Sequence, residues 1–226
     1  MNKPIVPWQW VCLALIGVVW LSGCRWLPLN QTDVCRTDDQ LFADAFDHEQ
    51  NANLCGWAVY RTAGVAVEIE NNALTISISD AGQMAWTNPG RSFTDVEVTA
   101  QTRQLSGPND NAYGLICRYR DEQNFYVFLI SGDGYYAIGK YTSASPQVEY
   151  LTGAEYLPSN FINQGDAANR IGARCVGDAL SLLINGEVVA TVRDSSHASG
   201  DIGLAASPFG VGRLVVAFDS VQVSQP

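Results

Sequence analysis

Short segments in which apolar and polar residues alternate follow one another from residue 41 to residue 224. The clearest is "TDVEVTAQTRQL", in which Val96, Val98 and Ala100 share one face and polar or charged residues fill the other. Turns rich in Asn and Gly separate the segments, as at Asn71–Asn72 and Asn185–Gly186. No segment keeps a helical period. The pattern predicts an all-β chain of two packed antiparallel sheets.

The N-terminus has one basic residue, Lys3, and then no charge as far as Cys24. Its apolar stretch has the length of a signal-peptide core and ends in "LSGC". This ending resembles the lipobox of bacterial lipoproteins. The resemblance implies a signal peptide over residues 1–23, a lipid on Cys24 that holds the chain to a membrane, a tether over 24–40 and a domain over 41–226. The alternative is an uncleaved membrane anchor in which Cys24 is an ordinary thiol, and both place the domain outside the cytoplasmic membrane.

The remaining cysteines indicate disulfides in that compartment. Four are left once Cys12 and Cys24 are set aside: Cys35, Cys55, Cys117 and Cys175. Four cysteines allow three connectivities, of which we predict Cys35–Cys55 and Cys117–Cys175. No pair has C-x-x-C spacing and neither His has ligand spacing, so we expect no metal centre of this kind.

The charge of the chain limits its partners. The formal net charge is -10, which opposes a nucleic-acid ligand because binding to phosphates needs a basic surface. We therefore expect no nucleic-acid partner.

The order of the strand-like segments resembles a known family. "LFADAFD", "GW" at 56–57, "NNALTISIS", "GDIGLAA" and "VVAFDSVQV" follow one another as in the concanavalin A-like, laminin-G-like domains known as DUF1080 or 3-keto-disaccharide hydrolase. The resemblance covers residues 41 to 224. It implies a two-sheet antiparallel jelly roll, and it does not fix an activity because this fold carries many functions.

The stretch "GLICRYRDEQNFYVFLISGDGYYAIGK", residues 114–140, supplies the candidate binding face. We expect three strands separated by loops at Asp121–Asn124 and Ser131–Gly134. One face, with Cys117, has no charge and is assigned to the core, whereas the other carries arginine, lysine and tyrosine. Sugar recognition needs aromatic planes and fixed polar groups, and the candidates are Arg118, Arg120, Tyr136, Lys140, Gln101, Trp57 and Trp86.

A plainer interpretation of the same face stays open. Long Arg and Lys stems cover apolar surface while their charged ends stay in water. The segment 143–168 could also bury Val127 and Leu129. In that case the face would be ordinary surface, and Trp57 and Trp86 would serve packing.

The sequence offers no complete catalytic set. Glycanases of this fold carry E-x-D-x-x-E on a strand, and this chain has only the pairs Asp95–Glu97 and Glu68–Glu70. No cofactor is expected, and calcium is an alternative at the oxygen-bearing residues Asp44, Asp47, Glu49, Asn51 and Asp219.

Three functions remain open at this point. The preferred one is non-catalytic binding of a carbohydrate. The second is a hydrolase or lyase that acts on sugars. The third is a structural or protein-interaction module of the cell envelope.

Overall fold

Strands make up nearly all the regular structure of the protein. The computed structural model describes residues 34–37 and 39–226. The strands are β1 (Phe42–Asp44), β2 (Tyr60–Arg61), β3 (Val65–Glu70), β4 (Ala73–Ile78), β5 (Ala85–Thr87), β6 (Val96–Ser106), β7 (Asn111–Asp121), β8 (Asn124–Ile130), β9 (Tyr135–Thr142), β10 (Ser145–Tyr150), β11 (Leu157–Pro158), β12 (Asn169–Val176), β13 (Ala179–Ile184), β14 (Glu187–Arg193), β15 (Asp201–Pro208) and β16 (Leu214–Ser224). Within the described residues, the one helical segment is a 3-10 turn at Glu49–Asn51.

The strands form two antiparallel sheets. The larger sheet has nine strands in the order β14-β13-β12-β6-β16-β4-β3-β2, with β1 pairing β16. The smaller sheet has seven strands in the order β10-β9-β8-β7-β15-β5, with β11 pairing β9. Sequential strands are often not neighbours, so each sheet is built from distant parts of the chain. The two sheets confirm the predicted sandwich.

Alternation along each strand places one set of side chains between the sheets. In β6, Val96, Val98 and Ala100 are buried, as their spacing predicts. Leu115 of β7 and Phe128 of β8 enter the same core from the smaller sheet. The two inner faces thus meet in one hydrophobic core.

Both predicted disulfides are present. Cys117 of β7 bonds to Cys175 of β12, which ties the smaller sheet to the larger one. Cys35 bonds to Cys55 and is fully buried. Ala43 also donates a backbone hydrogen bond to the Cys35 carbonyl, so the chain just before β1 is part of the fold. Two disulfides indicate an oxidising compartment.

The loops within residues 114–140 differ from the expected ones. Ser131 donates its N–H to the carbonyl of Tyr135, so these two residues continue the pairing beyond β8 and β9 and enclose a loop of three residues, 132–134, instead of four. Ile130 therefore lies opposite Tyr136. A shift of one residue turns a strand over, so Tyr136 points into the core and Tyr135 points outward, the reverse of the prediction.

The predictions for residues 1–33, including lipidation of Cys24, lie outside the described residues. Within residues 34–37 and 39–226, no helix has the length and the apolar character needed to cross a bilayer.

Candidate ligand pocket on the smaller sheet

The outer face of the smaller sheet is apolar and covered. Its centre is a set of almost fully buried side chains, which we call the outer cluster: Ala112, Ile116, Phe125, Val127, Leu129 and Ala205. Half-buried side chains cover the outer cluster, and these are Met84, Trp86, Tyr119, Tyr141, Val148 and Tyr156. Two of them belong to the segment 143–168, as the plainer interpretation of this face predicts. The face is therefore not an open platform of charged residues.

Aromatic rings are concentrated around Phe125. The ring of Tyr141 stacks on Phe125 at 4.5 Å between centroids. Tyr119 and Trp86 pack against the same ring at 5.5 Å and 5.9 Å. Phe125 thus fixes three rings in place, and each of the three stays partly open to solvent.

A pocket of about 360 Å³ opens beside these rings, and we call it the Trp86 pocket. Its aromatic lining is Tyr60 of β2, Trp86 of β5 and Tyr119 of β7. The Tyr60 hydroxyl donates a hydrogen bond of 3.0 Å to the carbonyl of Trp86, which joins the edges of the two sheets. Burial raises the pKa of Tyr60, so this hydroxyl remains a neutral donor.

Polar groups flank the rings of the Trp86 pocket. Gln83 and Glu122 line it and are exposed, and within the described part of the chain neither side chain makes a hydrogen bond or an ion pair. The amide of Asn88 is held by a 2.6 Å bond from Nδ2 to the carbonyl of Ile202. Rings that offer an apolar face, beside amide and carboxylate groups that lack partners, can bind the C–H face and the hydroxyls of a sugar.

Two predicted aromatic candidates lie in the core instead. Trp57 packs between Phe42 and Phe46, and its Nε1 donates to a carboxylate oxygen of Asp44 at 2.9 Å. Tyr136 is buried, and its hydroxyl donates to the carbonyl of Val189 at 3.3 Å. Of the predicted aromatic residues, Trp86 is the one that lines the pocket.

The placement of Arg118 corrects the prediction that it faces outward. Its side chain is 2% exposed. The guanidinium donates to the carbonyls of Thr94, Gly177 and His197 at 3.3, 2.8 and 2.9 Å, and lies 3.3 Å from a carboxylate oxygen of Asp95. A β-bulge explains this, because Arg118 has φ of 55° at the point where the β7–β8 register shifts.

The other predicted polar candidates do not meet at one place. Arg120 is exposed near the end of β7. Gln101 belongs to the larger sheet, opposite Arg170. Lys140 pairs with Asp194 at 2.7 Å, on the core side of β9.

The Lys140–Asp194 pair belongs to a polar network at one end of the sandwich. The Tyr126 hydroxyl donates to Asp194 at 2.6 Å. Burial would raise the pKa of Asp194, but hydrogen bonds from Lys140, Tyr126 and Ser196 outweigh it and hold that pKa well below its usual range. Burial, with the bond to Asp194, raises the pKa of Tyr126 to about 12.

The carboxylates of the pairs Asp95–Glu97 and Glu68–Glu70 all form bonds with neighbouring groups. Glu97 binds Arg174 at 2.5 Å, and Asp95 accepts bonds from Arg118 and from the N–H of Gly177. On β3, Glu68 pairs with Arg61 at 2.5 Å and Glu70 accepts a bond from Thr75.

The candidate calcium residues differ in their exposure to solvent. The carboxylate of Asp44 is buried and accepts bonds from Trp57 and from the N–H of Phe46. His48 and Cys55 approach it, but the sulfur of Cys55 is in a disulfide and is not a thiolate ligand. Asp219 is exposed on β16.

Comparison with solved structures identifies the fold. The chain is similar to the carbohydrate-binding module CBM66 from Bacillus subtilis, with 16% identity, a TM-score of 0.58 and coverage of 75% of this chain and 96% of that one. It is also similar to the GH16 protein of a Bacteroides ovatus mixed-linkage glucan PUL in complex with its G4G4G3G product, with 11% identity, a TM-score of 0.57 and coverage of 81% and 99%. The chain has a concanavalin A-like jelly-roll fold. An endo-β-galactosidase from Clostridium perfringens shares this fold at 11% identity and a TM-score of 0.56, over 85% of this chain and 64% of that one.

Neither a protein-family model nor a curated protein matches the chain. Membership of the 3-keto-disaccharide hydrolase-like family therefore stays a prediction.

Proposed function

We propose that the protein is a lipid-anchored module that binds carbohydrate in the Trp86 pocket, outside the cytoplasmic membrane. The observation that carries the proposal is the meeting of Tyr60, Trp86 and Tyr119 in one pocket with the unpartnered side chains of Gln83 and Glu122. Aromatic faces and hydrogen-bonding groups together are what a sugar ring requires. The structural similarity to a carbohydrate-binding module supports the same ligand class.

The lining of the Trp86 pocket favours binding over hydrolysis. Glycoside hydrolysis by the common mechanisms uses two carboxyl groups on either side of the scissile bond. Among the described residues that line the pocket, Glu122 is the one with a carboxyl group. We therefore infer a binding role without catalysis.

The lipid anchor is the second part of the proposal. It is supported by "LSGC" at residues 21–24 and by the disulfides of the domain, which fit an oxidising compartment. A lipid at Cys24 would hold the binding domain close to a membrane.

A glycan array tests the proposed ligand class. The full-length chain would be kept soluble in a polyoxyethylene detergent, which carries no sugar that could compete. We expect wild type to bind a defined set of glycans and Trp86→Ala to lose that binding. Phe161→Ala is the matched control, because Phe161 is an exposed ring that does not line the pocket.

Two array results would contradict the proposal. One is that the folded wild-type protein binds no glycan. The other is that Trp86→Ala, with an unchanged melting temperature, binds the same glycans as wild type.

A further inference from the structure

A second pocket of about 300 Å³ lies at the other end of β7, and we call it the acidic pocket. It combines three aromatic rings with three carboxylates. Its lining residues are Asp110, Asn111, Ser131, Asp133, Tyr135, Glu155, Tyr156 and Phe209. None of these residues lines the Trp86 pocket.

The rings give the acidic pocket a fixed wall and an open rim. Tyr156 packs edge-on against Phe209 at 5.6 Å and against Tyr150 at 5.3 Å. Burial raises the pKa of Tyr156, so its ring carries a neutral hydroxyl. Tyr135 and Phe209 are 41% and 42% exposed, so both are accessible to a ligand.

The carboxylates of the acidic pocket lack a positive partner. Within the described part of the chain, the side chains of Asp110 and Glu155 make no hydrogen bond or ion pair, and Asp133 accepts only from the hydroxyl of Ser131. None of the described lining residues is Lys or Arg. The described lining therefore offers a cation three exposed carboxylates and no side-chain cation that competes for them.

We propose that the acidic pocket binds an organic ammonium group, either a protonated amine or a quaternary amine. Aromatic faces attract such cations, and carboxylates at the rim add a direct charge interaction. A calcium ion fits this lining less well, because it requires six to eight oxygen ligands and gains nothing from the rings. The side chain of Asn111 is already held in place, since it donates to Gln104 and to the carbonyl of Pro108 and accepts from the N–H of Gly132.

This ammonium site goes beyond the proposed carbohydrate site and is separate from it. Asn111 lines the acidic pocket and Tyr119 lines the Trp86 pocket. Eight residues along a strand separate them by roughly 26 Å. A substitution in one pocket therefore leaves the other in place, and the two proposals can fail independently.

Ligand-detected NMR of the full-length protein in polyoxyethylene detergent tests the ammonium site. The probes are choline, glucosamine and the neutral N-acetylglucosamine, each measured on wild type and on Trp86→Ala, in which the carbohydrate pocket is disabled. We expect both cations to bind both proteins, and N-acetylglucosamine not to bind Trp86→Ala. Tighter binding of choline would indicate a quaternary amine as the natural group, and tighter binding of glucosamine would indicate an amino sugar.

Substitutions in the acidic pocket test whether the cation binds there. Asp110→Asn combined with Glu155→Gln should weaken choline binding by about tenfold, because it removes two negative charges beside the cation. Phe209→Leu should weaken it by about threefold, because it removes an aromatic face. Glu187→Gln is the matched control, since Glu187 is an exposed acid on β14 of the larger sheet, and it should bind like wild type.

Three results would overturn the ammonium site. The first is that neither cation binds Trp86→Ala. The second is that the combined Asp110 and Glu155 variant binds choline like wild type while its melting temperature is unchanged. The third is that calcium chloride displaces both cations at a lower concentration than choline itself, which would make the pocket a metal site.

Discussion

Arg118 and Arg120 are two residues apart in β7 and have opposite surroundings. Arg118 is buried and bonded to three carbonyls and a carboxylate, whereas Arg120 is exposed. Strict alternation would put both on the same face. The bulge at Arg118 breaks the alternation, and a bulge has no reliable signal in the sequence of a single strand.

The different surroundings of Arg118 and Arg120 predict that substitution of each affects stability differently. Arg118→Met should lower the free energy of unfolding by about 2–4 kcal/mol, because it removes the donor to three carbonyl oxygens, of which that of His197 is buried, and leaves Asp95 without its positive partner. Arg120→Met should change it by less than about 0.5 kcal/mol. Equilibrium unfolding in urea measures both. Equal stability of the two variants would show that the Arg118 contacts do not contribute to the fold.

The pKa of Asp194 predicts a loss of stability in acid. Because this pKa is lower in the folded protein than in the unfolded chain, the charged carboxylate stabilises the fold above a pH of about 4, and the contribution is lost as pH falls below that value. Asp194→Asn should therefore reduce the drop in melting temperature between pH 6 and pH 3. The control is Asp219→Asn, an exposed acid, which should show the wild-type drop. An unchanged drop in Asp194→Asn would contradict the assignment.

Among the elements of the fold, the strands could be predicted from the sequence, whereas the register between neighbouring strands could not. Period-two alternation identified β6 and its buried face, and uncharged faces identified the core sides of β7 and β8. The orientation of β9 depended on one hydrogen bond, from Ser131 to Tyr135, which shortens the preceding loop to three residues. The number of residues in a loop determines which face of the next strand each side chain occupies. This single contact therefore determines where Tyr136 points.

The disulfide between β7 and β12 should be a main source of stability. It closes a loop with a sequence separation of 58, against 20 for Cys35–Cys55. Loop-closure entropy then predicts a loss of about 4 kcal/mol for Cys117→Ala with Cys175→Ala, and about 3 kcal/mol for the other pair. Urea unfolding of the two double variants measures these losses. A larger loss in the Cys35–Cys55 variant would show that loop entropy is not the controlling term.

At the scale of the whole molecule, the Trp86 pocket shows what sequence reasoning missed. Tyr60 and Trp86 are 26 residues apart, and the pocket forms where β2 of the larger sheet meets β5 of the smaller one. Trp86 was a candidate because of its residue type alone. Tyr60, Gln83 and Glu122 had no such signal, because only the pairing of distant strands brings them together.

The lipid anchor predicts where the whole protein is found in the cell. Cys24→Ser should lose lipid labelling, because the thiol at the predicted attachment site is replaced by a hydroxyl. Cys12→Ser is the matched control and should keep the label, since Cys12 lies within the predicted signal peptide. Palmitate labelling of both variants measures this. Lipid labelling of Cys24→Ser at the wild-type level would contradict the anchor.

Carbohydrate binding in the Trp86 pocket is tested most directly by isothermal titration calorimetry with the glycan that binds most strongly on the array. Trp86→Ala should lose about tenfold or more in affinity, because the largest aromatic face of the pocket is gone. Trp86→Phe should lose less, since a smaller ring remains. Equal affinity of wild type and both variants, with unchanged melting temperatures, would show that the Trp86 pocket is not the carbohydrate site.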